Sequence, residues 1–492
     1  MNKTLRILAL VLALLMMLPA IVACGNKDGE DGSEGKENGG TTGVVDTSDP
    51  YATQLPDYDW DEDDFFILGR EDGSYIQFKN FEIWRENMPG DVVGDAVWER
   101  NESLRKKYNF IVTQELSNKV KSTAQTLYDA QDDVYDLVIY QPTQVFSHAS
   151  SGFLLDLNSV MYINFNHPTW SQKVNDSLTI GGKLYCTTSQ FLLQDKARTY
   201  TLFYNRELAR EYDMGYLESF VDANVWTLET FETVCRQLSF DVDGQGAGGQ
   251  GDSFGVAAES TGSFPALLYG AGFSLGQNDG ETITLTGATK AMDDIVTAVG
   301  KVWFDKTVIC MPSDFAVYDP ESPTDIFCDN RSLFFSSFPS AFDTGLNEKC
   351  HFEFGIVPFP KMSSDQEDYY NFANVDNSSV FAIPYTVADP AQVGFYLEAI
   401  SEESCKTTYD AYIESKCKVQ DSYDELTAKM LDLSFNCITY DIITCLNVGG
   451  LYSIISSQIP NFRANVYVRL YEGKGDKPQT ELEQYIFQFE NS

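Results

Sequence analysis

Short apolar runs alternate with amphipathic stretches along most of this chain, and this alternation restricts the possible folds more than any other feature. The run at 135–140 ends in four consecutive apolar residues, which is typical of a strand covered on both faces. In the stretch that follows a Pro-Gly turn, apolar residues recur at helical spacing among charged ones, at Val93, Val97, Leu104 and Tyr108. Strands and amphipathic helices in alternation predict an α/β architecture.

The same patterns predict individual elements. We expect strands at 76–84, 110–116, 135–140 and 202–206, with a helix at 207–212. Another helix should begin after Thr227, whose hydroxyl is a suitable N-cap, because Leu228, Phe231, Val234 and Leu238 share one face. A strand, helix, strand, helix, strand order predicts an open, doubly wound lobe, and a second lobe begins before Thr227.

The amino-terminal segment has the layout of a secretory signal peptide. Lys3 and Arg6 precede an apolar run, and small residues lead to Cys24. The stretch Ile21-Val22-Ala23-Cys24 resembles a bacterial lipobox, which implies that 1–23 is removed and Cys24 is lipidated. The alternative is an ordinary signal peptide with a chance cysteine. The stretch at 25–50 is nearly all Gly and polar residues, so 24–54 is predicted to be a lipid-attached, flexible tether.

Charge and cysteine content exclude several classes of function. The chain has 73 acidic and 34 basic residues, which disfavours nucleic acid and anionic lipid surfaces as partners. Nine cysteines remain besides Cys24, without a Cys-x-x-Cys pair. We interpret most of them as small buried hydrophobes, with one or two disulfide bridges, and their spacing argues against a zinc site.

Six motifs occur in an order that resembles the family 1 extracellular solute-binding proteins. They are Asp136-Leu137-Val138-Ile139-Tyr140, Gly152-Phe153-Leu154-Leu155-Asp156-Leu157, Gly182-Lys183-Leu184-Tyr185, Tyr204-Asn205-Arg206-Glu207-Leu208, Trp226-Thr227-Leu228-Glu229-Thr230-Phe231 and Phe354-Gly355-Ile356-Val357-Pro358-Phe359-Pro360. Together they span most of the chain that follows the tether.

This resemblance implies a type II periplasmic-binding-protein-like fold, with two α/β lobes, each a doubly wound sheet with flanking helices. The first lobe would comprise 55–185 and about 384–440, and the second 186–383 and about 441–492. Hinge candidates are Tyr185-Cys186 and Ile383-Pro384. The resemblance also implies capture of a carbohydrate between the lobes, delivery to an ABC transporter permease, and attachment through lipid to the outer face of the cell membrane, without a cofactor or catalysis.

Aromatic faces and planar polar groups bind sugars, and their position in the chain predicts which of these residues contact the ligand. Tyr140 and Gln141 end a strand, where ligands of doubly wound sheets bind. The other candidates are Trp84, Trp303, Phe338, Phe342, Asn374 and Asp376. Core packing and loop solvation are the alternative explanations. These loops contain few Arg or Lys, which favours a neutral solute, although peptides, polyol phosphates and uronic acids stay open.

Two further patterns point to other functions. Asp241, Asp243 and Asp252 resemble a degraded calcium loop, for which a simple turn is the alternative. Gly272-Phe273-Ser274-Leu275-Gly276 fits the nucleophile elbow of hydrolases, but turn residues follow where that motif needs a helix. A secreted glycan-active hydrolase and a cell-surface glycan adhesin therefore remain alternatives to a binding protein.

Overall fold

The computed structural model describes residues 51, 52, 54–71, 80–242, 244, 246, 251–259, 262–311, 322–419 and 422–491. In chain order its strands are β1 Asp63–Arg70, β2 Phe110–Ser117, β3 Leu137–Tyr140, β4 Thr201–Asn205, β5 Phe254–Ala258, β6 Gly276–Asn278, β7 Ile283–Leu285, β8 Ile309–Cys310, β9 Ser332–Ser337, β10 Phe354–Val357, β11 Asn371–Phe372, β12 Val380–Ala382, β13 Lys418–Val419, β14 Ser422–Tyr423 and β15 Ile438–Thr439.

The α-helices are α1 Val92–Tyr108, α2 Val120–Ala130, α3 Pro142–Ala149, α4 Gln172–Leu178, α5 Gln194–Ala197, α6 Arg206–Glu211, α7 Glu218–Asp222, α8 Leu228–Gln237, α9 Ser263–Gly270, α10 Lys290–Trp303, α11 Pro323–Cys328, α12 Leu346–Lys349, α13 Pro390–Lys406, α14 Thr408–Cys417, α15 Glu425–Asn436, α16 Ile442–Cys445, α17 Ile459–Phe462, α18 Tyr467–Glu472 and α19 Lys477–Glu490. Short 3-10 turns lie at Leu157–Ser159, Pro339–Thr344 and Val448–Gly450, and a π turn at Ile454–Gln458.

The first sheet has the strand order β12-β3-β1-β2. Strand β1 runs parallel to β2 and β3, and β12 is antiparallel to β3. The chain passes from β1 through α1 to β2 and then back through α2 to β3 on the other side of β1. The strand order therefore reverses at β1, and in doubly wound sheets ligands bind beyond the carboxyl ends of the strands at such a reversal.

The second sheet has the order β10-β4-β9-β5-β8. Strands β5, β8 and β9 are parallel, whereas β4 is antiparallel to β9 and β10. Thr201 consequently pairs with Ser337, so the amino end of β4 lies at the same edge as the carboxyl end of β9. This edge is the counterpart of the ligand-binding edge of the first sheet.

The segments that lead from one sheet to the other are paired with each other. Thr187 and Phe381 exchange backbone hydrogen bonds of 3.1 and 2.9 Å, and the amide of Leu155 donates to the carbonyl of Ile383 at 3.0 Å. The candidate hinge segments 185–186 and 383–384 thus run beside each other. In the carboxyl-terminal third, α13 and α14 pack on α1, and α15 packs on β10. Phe489 of α19 contacts the rings of Phe146 and Tyr185.

Most elements predicted from periodicity are confirmed. Helix α1 and strands β2, β3 and β4 lie within one or two residues of their predicted bounds, and Thr227 caps α8 by accepting the amide of Thr230 at 3.4 Å. The predicted strand at 76–84 is wrong for its described part, since 80–84 forms no strand. The first strand is instead β1, in which Phe65, Ile67 and Leu68 are fully buried. It begins with two acidic residues, which are uncommon in buried strands.

The interpretation of the cysteines is also confirmed. Cys328 and Cys350 form a disulfide that joins the end of α11 to the residue after α12. The free cysteines among the described residues are all buried, at positions Cys186, Cys235, Cys310, Cys405, Cys417, Cys437 and Cys445. In the described part of the chain, no helix combines the length and apolar character that crossing a bilayer requires.

Candidate functional site

A cavity of about 530 Å³ opens at the carboxyl edge of the first sheet. Its lining includes the last residue of β1, Arg70, the last residue of β2, Ser117, and Gln141, which directly follows β3. The amino end of α2 and Gln144 of α3 complete the lining. Parallel strands bring their carboxyl ends to one edge, so residues that are far apart in sequence meet in this cavity.

Arg70 links the edge of the first sheet to the segment that leads into β12. Its Nη1 donates to the carbonyl of Ser378 at 2.6 Å and to Oγ of Ser379 at 2.9 Å. Its own amide donates to Oδ1 of Asn80 at 2.7 Å. The side chain is almost fully buried. Arg70 is thus a buried cation at the base of the cavity.

Three of the residues predicted to contact ligand meet beside this cavity. Nε2 of Gln141 donates to the carbonyl of Asp376 at 2.8 Å, and Oδ1 of Asn374 accepts the amide of Asp376 at 3.1 Å. Oε1 of Gln141 also accepts from Gln144 at 2.5 Å. Asn374 is buried, whereas the carboxylate of Asp376 is exposed. The side-chain amides of Gln141 and Asn374 therefore stabilise the loop at 374–376, and the side chain of Asp376 faces solvent.

The matching edge of the second sheet carries an aromatic pair. The rings of Tyr200, which precedes β4, and Phe338, which follows β9, lie 4.1 Å apart between centroids. The guanidinium of Arg198 lies 5.6 Å from the centroid of Phe338. Ser337 donates to the carboxylate of Glu259, which follows β5. Phe338 remains partly exposed, so this edge combines a ring surface with polar groups.

Electrostatic contacts show that the two edges lie close together. Burial lowers the pKa of the Arg198 guanidinium, and the positive charge of Arg70 lowers it further, against the raising effect of nearby acidic groups. Burial raises the pKa of the Tyr452 hydroxyl, and the neighbouring Asp376 and Tyr200 add to the increase. Arg70 and Asp376 belong to the first edge, and Arg198 and Tyr200 to the second. We define this junction, with Tyr452 beside it, as the cleft.

Four other predicted contacts pack into the protein. Tyr140 is fully buried, and its hydroxyl pairs with that of Tyr128 at 2.7 Å and with Nδ1 of His148 at 3.0 Å. Trp303 packs on Phe264 with 5.4 Å between ring centroids.

Phe342 is 8% exposed, with its ring against Phe203 at 5.3 Å and Phe354 at 5.8 Å. Trp84 is half-buried against the core. Burial of their large rings places Tyr140, Trp303 and Phe342 in the core, and Trp84 packs against it.

The calcium candidates act as turn residues where they are described. The two carboxylate oxygens of Asp241 accept the amides of Gly244 and Gly246 at 2.7 and 3.0 Å. Asp252 is buried and accepts the amide of Val242 at 2.9 Å. Asp243 lies outside the described residues. Within the described ranges, no three His, Cys, Asp or Glu side chains converge on a metal position.

The Gly-x-Ser-x-Gly motif does not form a nucleophile elbow. Ser274 follows helix α9 and precedes strand β6, whereas an elbow needs a strand before the serine and a helix after it. Its hydroxyl lies 3.3 Å from that of Thr286.

Several cleft residues were missed in the sequence. Arg70 is the last residue of β1, and Gln141 directly follows β3. A correct prediction of β1 would have identified Arg70 as a candidate contact, because ligands bind beyond the carboxyl ends of the strands. Phe338 was predicted to contact the ligand, but its partners Arg198 and Tyr200 were not. They lie about 140 residues earlier in the chain and meet Phe338 only in the folded protein. No local pattern marks Tyr452, because only the tertiary structure brings it near Asp376 and Tyr200.

No protein-family model matches this sequence, and no curated protein matches it. Solved structures do match. The crystal structure of a cyclo/maltodextrin-binding protein complexed with maltotetraose has a TM-score of 0.50 at 13% identity, covering 87% of this chain and 97% of that one. The crystal structure of M. tuberculosis UspC has a TM-score of 0.51 at 14% identity, covering 85% of this chain and 100% of that one. These matches confirm the predicted periplasmic-binding-protein-like α/β fold.

Proposed function

We propose that this protein is a solute-binding protein that captures a carbohydrate in the cleft and delivers it to the permease of an ABC transporter. The single observation that carries the proposal is the cleft itself, in which Tyr452 has both Tyr200 of the Tyr200–Phe338 ring pair and Asp376 of the polar loop as neighbours. Sugars offer apolar C–H faces to rings and hydroxyls to planar polar groups, so this combination suits them.

The fold supports the same proposal. It is shared with a protein that was crystallised with maltotetraose, although fold alone does not transfer a ligand. A ligand that contacts both sheet edges favours the arrangement in which they are close, because it binds that arrangement more tightly than an open one. Occupancy would thereby be converted into a shape that the permease recognises.

The lipid anchor belongs to the proposal as well. A lipidated Cys24 followed by a polar tether would hold the binding domain near the permease on the outer face of the cell membrane. The residues concerned lie outside the described part of the chain, so the sequence alone supports this step.

The test is isothermal titration calorimetry on residues 43–492, which form one compact unit, with soluble mono- and oligosaccharides, peptides and polyol phosphates. We expect one class of saccharide to bind with a stoichiometry near one and to raise the melting temperature by mass action. Chromatography of the recovered ligand should show it unchanged.

Other outcomes would favour a different function. Cleavage of the saccharide would indicate a glycan-active hydrolase. Binding to immobilised polymeric glycan without binding to any soluble oligosaccharide would indicate an adhesin, and binding of peptides alone would refute the carbohydrate assignment.

A further inference from the structure

The cavity beside the first sheet has the opposite charge to the protein as a whole. Its charged lining residues are Arg70, Lys119 and Lys121, and among the residues that the structure describes no aspartate or glutamate lines it. Acidic residues outnumber basic ones by 73 to 34 in the chain, which gives a formal net charge of −39. A small cavity whose described charged side chains are all positive is therefore a local reversal, and such a reversal attracts anions and raises their local concentration.

The two lysines are available to a ligand. Lys119 and Lys121 are exposed, and neither forms an ion pair with any described residue. They flank the first residue of α2, a helix that has no side-chain cap and no acidic residue in its first turn. The amide groups of that turn add to the positive potential of the cavity. The helix end reinforces the site, but the lysines and the cavity define it.

Two buried arginines lie near this cavity. Arg70 donates to the carbonyl of Ser378 and to Oγ of Ser379. Arg198 on the second edge is buried as well, and its charged neighbours include the acidic Glu259 and Asp343 besides Arg70. The exposed Lys119 and Lys121, rather than these arginines, are therefore the cations that an acidic ligand would contact.

The rest of the lining suits sugar hydroxyls rather than a bare inorganic anion. Gln125, Gln141 and Gln144 supply amide groups, and Ser122 and Thr126 supply hydroxyls. The volume of about 530 Å³ lies within the range of small-molecule sites, which is about 300–1,000 Å³. Lys119 and Lys121 lie beside these groups and form no ion pair with a described residue. Together they are complementary to a sugar that carries an acidic substituent.

We infer that the solute is an acidic oligosaccharide whose carboxylate or sulfate group lies against Lys119 and Lys121 in this cavity. This inference rests on the proposed function and narrows its ligand class. It replaces the neutral solute that the sequence favours, because Lys119 and Lys121 lie outside the loops that carry the candidate contacts.

The test is calorimetry with matched pairs of ligands. One pair is an oligouronate and its carboxyl-reduced neutral counterpart, and the other is a sulfated oligosaccharide and its desulfated form. We expect the acidic member of one pair to bind about tenfold more tightly or better, since a charge-assisted hydrogen bond has roughly that effect. The pair that shows the difference identifies the acidic group. The advantage should shrink between about 20 mM and about 300 mM NaCl, because salt screens exposed charges.

The variant Lys119→Gln/Lys121→Gln should lose about tenfold in affinity for the acidic ligand and keep its melting temperature. The matched control is Lys106→Gln/Lys301→Gln, which removes two exposed lysines outside the cavity lining and should bind as the unmodified protein does.

Each other result has a distinct meaning. Equal or tighter binding of the neutral member overturns the inference and leaves the proposed function in place. Undiminished affinity of the Lys119→Gln/Lys121→Gln variant for the acidic ligand also overturns the inference. Failure of every saccharide to bind the unmodified protein overturns the proposed function itself.

Discussion

At the scale of single residues, two phenylalanines that lie close together in the sequence differ in their exposure to solvent. Phe338 and Phe342 are four positions apart, and both follow β9. Phe338 leaves part of its ring open beside Tyr200 and Arg198. Phe342 is enclosed by Phe203 and Phe354. A side chain contributes to ligand binding only where its surface is accessible, so the two should respond differently to truncation.

The substitution Phe338→Ala should weaken saccharide binding about tenfold and lower the free energy of unfolding by only about 1 kcal/mol, because a partly exposed ring contributes mainly to the ligand. The substitution Phe342→Ala should cost about 3–5 kcal/mol of unfolding free energy, because it leaves a cavity in the core. Calorimetry and urea unfolding measure the two effects. Stronger loss of affinity in a folded Phe342→Ala protein than in Phe338→Ala would show that the cleft is wrongly located.

At the scale of elements, one buried guanidinium joins four parts of the fold around the second sheet. Arg206 begins α6 and contacts Glu218 of α7 at 2.6 Å, Glu353 before β10 at 3.1 Å and Asp424, the N-cap of α15, at 2.5 Å. Tyr204 also donates to the carboxylate of Glu218. Because Arg206 and Glu218 are almost fully buried, removal of Arg206 would leave the carboxylate of Glu218 without its counter-charge.

We expect Arg206→Met to lower the free energy of unfolding by about 3–5 kcal/mol, since it isolates the Glu218 carboxylate in the interior. The double variant Arg206→Met/Glu218→Gln should recover part of that loss, and urea unfolding of all four proteins in the cycle measures the coupling. Arg210→Met is the control, because its exposed ion pair with Glu353 should contribute about 1 kcal/mol or less. Equal losses at Arg206 and Arg210 would contradict this account.

At the scale of the whole molecule, pH should control stability through buried carboxyl groups. Burial raises the pKa of Glu398 to about 7, against the lowering effect of hydrogen bonds from Trp170 and Asn164. Burial also raises the pKa of Asp136 to about 7, helped by the charges of Asp133 and neighbouring acids. A carboxyl group whose pKa is raised on folding stabilises the folded state below its unfolded pKa. That stabilisation is lost as the pH rises through the folded pKa.

The unmodified protein should therefore lose stability relative to Glu398→Gln as the pH rises from about 4.5 to about 7, by up to about 3 kcal/mol. Glutamine can still accept the hydrogen bonds of Trp170 and Asn164 but does not ionise. Urea unfolding at a series of pH values measures the difference, and Glu99→Gln at an exposed position should leave the profile unchanged. A constant difference between the two proteins across this range would rule out the Glu398 contribution.

Much of the fold could be predicted from the sequence, because its elements depend on local physics. Helical spacing of apolar residues located α1, and a continuous apolar run located β3. The hydroxyl of Thr227 marked the start of α8, since it accepts an amide only three residues away. The same local patterns did not predict β1, a buried strand that begins with two acidic residues.

The α/β class, several of the strands and helices, the strand end that points to Gln141 and the polar loop that points to Asp376 all follow from the amino-acid sequence. The strand order, the pairing of Cys328 with Cys350 and the set of residues in the cleft are known only from the three-dimensional fold. Arg70, for example, bonds to Ser378 across 308 residues of chain. Burial and the distance between charges depend on contacts between distant segments, and a local sequence pattern does not encode such contacts.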